Sequence, residues 1–219
     1  MNNYKLIIFD CDGVLVDTET ISNRILARQV SQLGYPMTTD EALRRYAGGS
    51  FYDMMEDVRG LLGKAFPENF EATYRKETYH AFSIELEAIQ GIDTVLQQTP
   101  LPYCVGSNGP KDKMLLNLKK TNLLDYFNVD HIYSAYDIGI WKPDPRMYET
   151  VARNMGVHPH DCIVIEDSIL GTKAGIGAGM KVFRYIAHAK ESIVENDGVT
   201  EFNSMDLLSD LLHQKVKKE

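Results

Sequence analysis

Two aspartates one residue apart, Asp10 and Asp12, end a short apolar run near the amino end of the chain. A carboxylate placed there can attack phosphorus and become an aspartyl phosphate, dividing one hard displacement into two easier ones. With Asp10 as nucleophile, Asp12 can protonate the departing alcohol and then take a proton from attacking water, help worth about a hundred- to ten-thousandfold. Bringing an anionic carboxylate to an anionic phosphate is repulsive, so such a site also needs positive charge. Oxygen ligands from Asp10, Glu166 and Asp167, with the Asp12 main-chain carbonyl and water, suit octahedral Mg²⁺. Lys142 adds a point charge for the phosphate oxygens. Ser107 and the amide of Asn108 can donate hydrogen bonds to the same oxygens, where the transition state concentrates negative charge.

Taken singly, each of these motifs has an ordinary structural reading. Asp-x-Asp is commonly a turn or a helix cap, Ser107-Asn108-Gly109 a turn, and Lys142-Pro143 a solvated lysine before a helix. Glu166-Asp167-Ser168 reads equally well as a helix amino terminus. Their order along the chain, and their place after predicted strands, is what joins them into one site.

The elements that must position them follow from apolar periodicity. Tyr4–Phe9 reads as a buried strand stopping at a polar loop, and further apolar runs occur at 103–106, 131–133, 162–165 and 181–183. Segments of helical spacing lie between most of them, so the chain alternates as α/β folds do, with a parallel sheet between helices. In such a sheet, ligands bind beyond the carboxyl ends of the strands, where strand order reverses. Pro145 and Gly156 bracket one helix, and Ser204 caps a last one. Residues 18–87 break the alternation, with helical patterns at 21–33, 40–46, 51–62 and 68–82 and no clear strand. They read as a helical cap inserted into a catalytic core of residues 1–17 and 88–219, hinged at Asp17-Thr18 and around Gln90-Gly91.

Composition bounds the partners. A net charge of -8 argues against binding a nucleic-acid backbone, which needs a basic footprint. A small phosphorylated metabolite is compatible with that charge, because a metal and a few cations can make one pocket positive. No apolar run approaches the ~20 residues of a membrane span, and Asp10 interrupts the first one too early for a signal peptide. Three widely spaced cysteines fit neither a disulfide framework nor a zinc site. The expectation is a cytoplasmic protein that keeps clear of membranes, with monomer the default. Cys11 has no arginine six residues on, so a cysteine phosphatase loop is absent, and its thiol reads as packing between two working aspartates.

In their order, Asp-x-Asp, then Ser, then Lys, then an acidic pair, these stations resemble the haloacid dehalogenase superfamily. The runs Asp10-Cys11-Asp12-Gly13-Val14-Leu15-Val16-Asp17-Thr18-Glu19, Trp141-Lys142-Pro143-Asp144-Pro145 and Ile165-Glu166-Asp167-Ser168 are similar to sugar-phosphate phosphatases related to β-phosphoglucomutase. The resemblance implies a Rossmann-like core of strand order 5-4-1-2-3, with Asp10 on the central strand, and a helical cap that closes over substrate. It extends over nearly the whole chain. Departures from it favour hydrolysis over phosphoryl transfer between sugar carbons. The mutases carry a histidine at the position matching Ser22, and a lysine and an arginine around a cap loop that reads Ala47-Gly48-Gly49-Ser50-Phe51 here. Water is then the expected acceptor.

Within the cap, Arg44, Arg45, Arg75 and Lys76 are candidate anion contacts, with a substrate carboxylate such as that of 6-phosphogluconate in view, and Glu19 is a candidate for sugar hydroxyls. Solvated helix faces are the competing reading of the four cations. Two other functions share the same residues: a phosphosugar mutase, and a phospho-accepting signalling module. The latter would place its acceptor aspartate on a third strand and leaves the cap unexplained.

Overall fold

The apolar run before Asp10 is a strand, β1 (Leu6–Phe9), and all four of its residues are buried. Leu6 and Ile8 pack into one layer of helices, Ile7 and Phe9 into the other, as the two-residue period of a strand requires. A strand covered on both faces reads as continuous hydrophobicity. Burying each such side chain contributes roughly 1.5–3 kcal/mol. The computed structural model describes residues 4–99, 101–186 and 198–216.

Four helices follow: α1 (Thr18–Gln32), α2 (Thr39–Tyr46), α3 (Phe51–Leu62) and α4 (Phe70–Glu85). Each of the first three starts on a side-chain cap. Asp17 accepts from the Thr20 amide, Thr38 from Glu41 and Ser50 from Asp53, satisfying donors that a helix start leaves open. The Asp17 cap explains why α1 starts at Thr18, three residues before its apolar pattern becomes visible. α1 packs against α2 and α4, burying Ile21, Ile25, Leu26 and Val30 with Tyr74 and Phe82.

The chain then continues through α5 (Ile92–Gln98), β2 (Tyr103–Ser107), α6 (Lys111–Lys120), β3 (Ile132–Ser134), α7 (Ala135–Ile138) and α8 (Arg146–Asn154). It ends with β4 (Cys162–Glu166), α9 (Ile169–Gly177), β5 (Lys181–Tyr185), β6 (Val199–Phe202) and α10 (Met205–Val216). Where the chain leaves β1 for α1 and returns from α4, its two passages pair with each other. The Asp17 amide donates to the Glu87 carbonyl at 3.0 Å and the Ile89 amide to Leu15 at 3.0 Å.

Among the described residues six strands form one sheet and all run parallel, in the order β3-β2-β1-β4-β5-β6. The expected five-strand order is contained in it, with β1 central. β6 is an additional strand, paired among the described residues only to β5. Its four residues, of which only Phe202 is buried, are too few to show a period. Sheet order reverses at β1 and β4, whose register sets Phe9 opposite Ile165. Asp10 and Glu166 therefore leave the sheet side by side, and Ser107 ends the neighbouring strand on the other side of β1. Among the described residues no helix is long and apolar enough to cross a membrane.

Candidate active site

Carboxylate oxygens of Asp10, Glu166 and Asp167 lie within 4.8 Å of one another. Asp10 and Glu166 are buried and Asp167 is half-buried. Lys142, itself buried, stands between the first two. Its Nζ lies 2.9 Å from Asp10 Oδ1 and 2.6 Å from Glu166 Oε1. Burial works against the Lys142 charge, but the flanking Asp10 and Glu166 more than offset it and hold the ammonium above the usual lysine range.

The three carboxylates are differently committed. Glu166 is saturated by protein: Oε1 accepts from Lys142 and from the Tyr148 hydroxyl at 2.6 Å, while Oε2 accepts from the Ser168 amide and hydroxyl at 3.0 and 2.9 Å. Burial pushes its carboxyl upward, yet Lys142 and these hydrogen bonds prevail and lower it. Asp10 Oδ1 accepts from Lys142 and from the Cys11 amide at 2.8 Å, and no described residue donates to Oδ2. Burial pushes the Asp10 carboxyl up to about 7. Lys142 pulls against that rise, and the charges of Glu166 and Asp12 add to it. The Asp167 carboxylate accepts no hydrogen bond among the described residues, although its main-chain carbonyl accepts from Arg184 Nε at 3.4 Å. Burial, then the charges of Glu166, Glu19 and Asp10, push it well above the usual carboxylate range.

Crowded, partly unsatisfied carboxylates are costly unless a cation joins them. The donors are all hard oxygens and lie close together, so the cluster fits a divalent metal ion. The oxygens left without a donor among the described residues belong to Asp10 and Asp167, whereas Glu166 pairs with Lys142.

Local sequence explains the fit. Gly13 adopts φ +77, and a Cβ there would sit 2.0 Å from Asp167 Oδ2. In α9 a Cβ at Gly171 would lie 1.8 Å from Glu166 Oε1, so this helix must carry glycine where it passes the cluster. Alanine ordinarily stabilises a helix interior relative to glycine by about 1 kcal/mol. Gly171→Ala is expected to do the reverse, destabilising by roughly 1–3 kcal/mol through overpacking and lowering turnover as Glu166 is displaced. Urea unfolding with a parallel assay checks this, and a variant more stable than the parent would contradict the geometry.

The other residues of the motifs are placed as follows. Ser107 is buried, and its hydroxyl accepts from the Gly109 amide at 3.2 Å. The Asn108 side chain clamps the Lys142 backbone, accepting from its amide at 2.9 Å and donating to its carbonyl at 3.3 Å. Asp12 points from the cluster toward α6, where Oδ2 pairs with Lys113 at 2.8 Å and Oδ1 is buried without a partner.

Asp12 also lines a cavity of about 180 Å³ with residues of α1, α3 and α4 and with Lys113, whereas Asp10, Lys142, Glu166 and Asp167 do not border it. Among the cap candidates, Glu19 and Arg75 line this chamber; Arg44, Arg45 and Lys76 do not. Arg45 is exposed and pairs with Glu41 at 3.0 Å. Lys76 borders a separate groove with Arg24 and Arg28. Arg75 lies 4.0 Å over the Phe51 ring, with Nε 2.8 Å from Glu71. Burial, reinforced by the charge of Asp12, pushes the Glu19 carboxyl up to about 7. The Asn23 amide nitrogen donates to it at 3.2 Å, while Asn23 Oδ1 is buried without a partner. The turn between α2 and α3 reaches the acidic loop, where the Ile169 amide donates to the Gly48 carbonyl at 3.3 Å.

Sequence reasoning missed Tyr148, Ser168 as a Glu166 ligand, and Lys113. Tyr148 carried no signal beyond an apolar helix face. Lys113 is one of four lysines in α6, and its position in the sequence does not set it apart from the others.

A parallel sheet with acidic loops and a lysine at its carboxyl edge defines a class, and the comparisons agree with it. Residues 7–185 match the haloacid dehalogenase-like hydrolases, and the chain belongs to that family. It is 36% identical over 212 residues to the 6-phosphogluconate phosphatase of Escherichia coli, covering 96% of both chains. It is 28% identical to a phosphorylated carbohydrates phosphatase of Thermotoga maritima, over 84% of this chain and 86% of that one. A haloacid dehalogenase-like protein of unknown function from Agrobacterium tumefaciens superposes with a TM-score of 0.88 at 28% identity, covering 98% of this chain and 100% of that one.

Proposed function

We propose that the chain is a Mg²⁺-dependent phosphatase of small phosphorylated sugars or sugar acids, acting through a phosphoryl group carried on Asp10. The observation that carries this reading is the uncommitted Oδ2 of a buried aspartate held by Lys142 beside two further carboxylates. The names of the relatives support the substrate class.

Cys11 and Lys142 fix Asp10 Oδ1, and the side chain is thereby oriented for attack by its other oxygen. Lys142 remains charged because Glu166 shares it, so it can also meet a phosphoryl oxygen. Ser107 and the Asn108 amide supply further donors at the end of β2. Asp12, at the mouth of the chamber, protonates the leaving alcohol and then deprotonates the attacking water. Held by Asp10 and Asp167 with the Asp12 carbonyl, Mg²⁺ would neutralise phosphate charge as a Lewis acid. The helices of residues 18–87 act as a cap whose closure excludes bulk water. Asn23 Oδ1 offers a hydroxyl of the sugar an acceptor. Ser22 lines the chamber where the mutases place a histidine, which favours water over a second sugar hydroxyl as acceptor.

The test is a phosphate-release assay on a panel of sugar, sugar-acid and nucleotide monophosphates, with hexose 1-phosphate included. Free phosphate from the sugar esters is expected. Conversion of the 1-phosphate to the 6-phosphate without free phosphate would show a mutase instead. Chelation should abolish release, Mg²⁺ should restore it, and Ca²⁺ should inhibit, since its larger and looser ligand shell misplaces Asp10. Full activity in excess chelator would overturn the assignment of the acidic cluster.

A further inference from the structure

Two cations line the chamber that Asp12 borders, Arg75 from α4 and Lys113 from α6. The Lys113 side chain is only 21% exposed, and its Nζ donates to Asp12 Oδ2 at 2.8 Å. An ammonium has three donors, and Asp12 is the one hydrogen-bond acceptor that Lys113 finds among the described residues. The aromatic Phe82 lies beside it, with its ring centroid 5.6 Å from Nζ. Tyr79, Phe82 and Lys113 also border an adjoining groove of about 620 Å³ that contains none of the carboxylates of the acidic cluster. Lys113 thus stands beside Asp12, on a wall shared by the chamber and the adjoining groove.

A partly desolvated ammonium that gives one of its donors to Asp12 binds an oxygen anion through shorter and stronger hydrogen bonds than it makes to a hydroxyl. The four-carbon stem of lysine lets the head group serve Asp12 and a ligand together. Arg75, paired with Glu71, presents its guanidinium on the same wall.

We propose that Lys113 determines specificity by taking a second anionic group, a carboxylate carried on the leaving alcohol, with Arg75 as its companion charge. The inference rests on the phosphatase reading and sharpens it: the preferred substrates are sugar-acid monophosphates rather than neutral sugar phosphates. Neither cation is supplied by the motifs that bind the phosphoryl group, so selection for the carboxylate is separable from the chemistry at Asp10.

The experiment compares kcat/KM for gluconate 6-phosphate and glucitol 6-phosphate, which differ only by a carboxylate in place of a hydroxymethyl group. The parent enzyme should prefer the acid. Lys113→Met should shrink that preference by about ten- to a hundredfold, the scale of one charge-assisted hydrogen bond, and Lys113→Arg should restore much of it. Equal losses on both esters, with the ratio unchanged, would reduce Lys113 to a support for Asp12 and overturn the proposal. If the methionine variant does not fold, the parent alone decides: gluconate should compete with substrate at lower concentration than glucitol, and equal or absent competition refutes the idea. Failure of the underlying reading looks different. The parent would release phosphate from neither ester nor from para-nitrophenyl phosphate, and the specificity proposal would fall with it.

Discussion

Asp10→Asn should reduce phosphate release by at least about a thousandfold, the order seen when a covalent nucleophile is removed, and leave a cooperatively folded protein. Asparagine keeps the shape of the side chain, so Cys11 and Lys142 retain an oxygen to which they can donate. Stability should change little, because burial already opposes the charge on Asp10 and brings its carboxyl up to about 7. The exchange removes a charge that the fold holds at some cost, while removing an oxygen that the reaction needs. Acid-quenched parent enzyme should show an intact-mass gain of one phosphoryl group during turnover, and the asparagine variant should show none. Ordinary turnover by the variant, or a phosphoryl group mapped to another residue, would refute the role given to Asp10. Thermal unfolding keeps the two possible causes of lost activity apart, since a misfolded variant would lose its transition as well.

The parts of this site that could be read in the sequence are those fixed by strand ends. Asp10, Ser107 and Glu166 lie at or directly after the ends of three adjacent strands, and buried parallel strands announce themselves as apolar runs. Their convergence then follows from sheet order. Side chains that reach the cluster from helices were not legible in this way. Tyr148 is one of several apolar positions on α8, and only the packing of that helix under the strand ends aims its hydroxyl at Glu166. Lys113 could not be told from the neighbouring Lys111 and Lys119 without the rotation of α6. The same ambiguity governs α4, where Arg75 lines the chamber while Lys76, the next residue, borders another groove. One helical step turns a side chain by about a quarter of the circumference, so a charge pair in sequence carries no information about which member faces inward. β6 escaped notice for a simpler reason, being four residues long and mostly half-buried.

Lys142→Met should have the largest effect on stability, because it strands a charge. Glu166 is fully buried, and Lys142 is its one cationic partner among the described residues. Removing one member of a buried ion pair typically costs about 3–5 kcal/mol. The Tyr148 hydroxyl and the Ser168 donors remain on Glu166, which places the expected loss nearer the lower figure. Its pH dependence identifies the cause. In the parent, Lys142 is the main influence lowering the Glu166 carboxyl against burial, and this interaction adds stability above the unfolded carboxylate range and loses it as pH falls. Without Lys142, burial acts unopposed and raises the carboxyl, so the variant suffers most at neutral pH and recovers relative to the parent as acid protonates Glu166. Denaturant unfolding from neutral pH down to the carboxylate range should show the gap closing. Adding Glu166→Gln to Lys142→Met should recover part of the loss at neutral pH, because the stranded charge is gone. A gap independent of pH, with no recovery in the double variant, would assign the loss to packing of the lysine stem against Tyr148, whose ring centroid lies 4.9 Å from Nζ, and not to the buried pair.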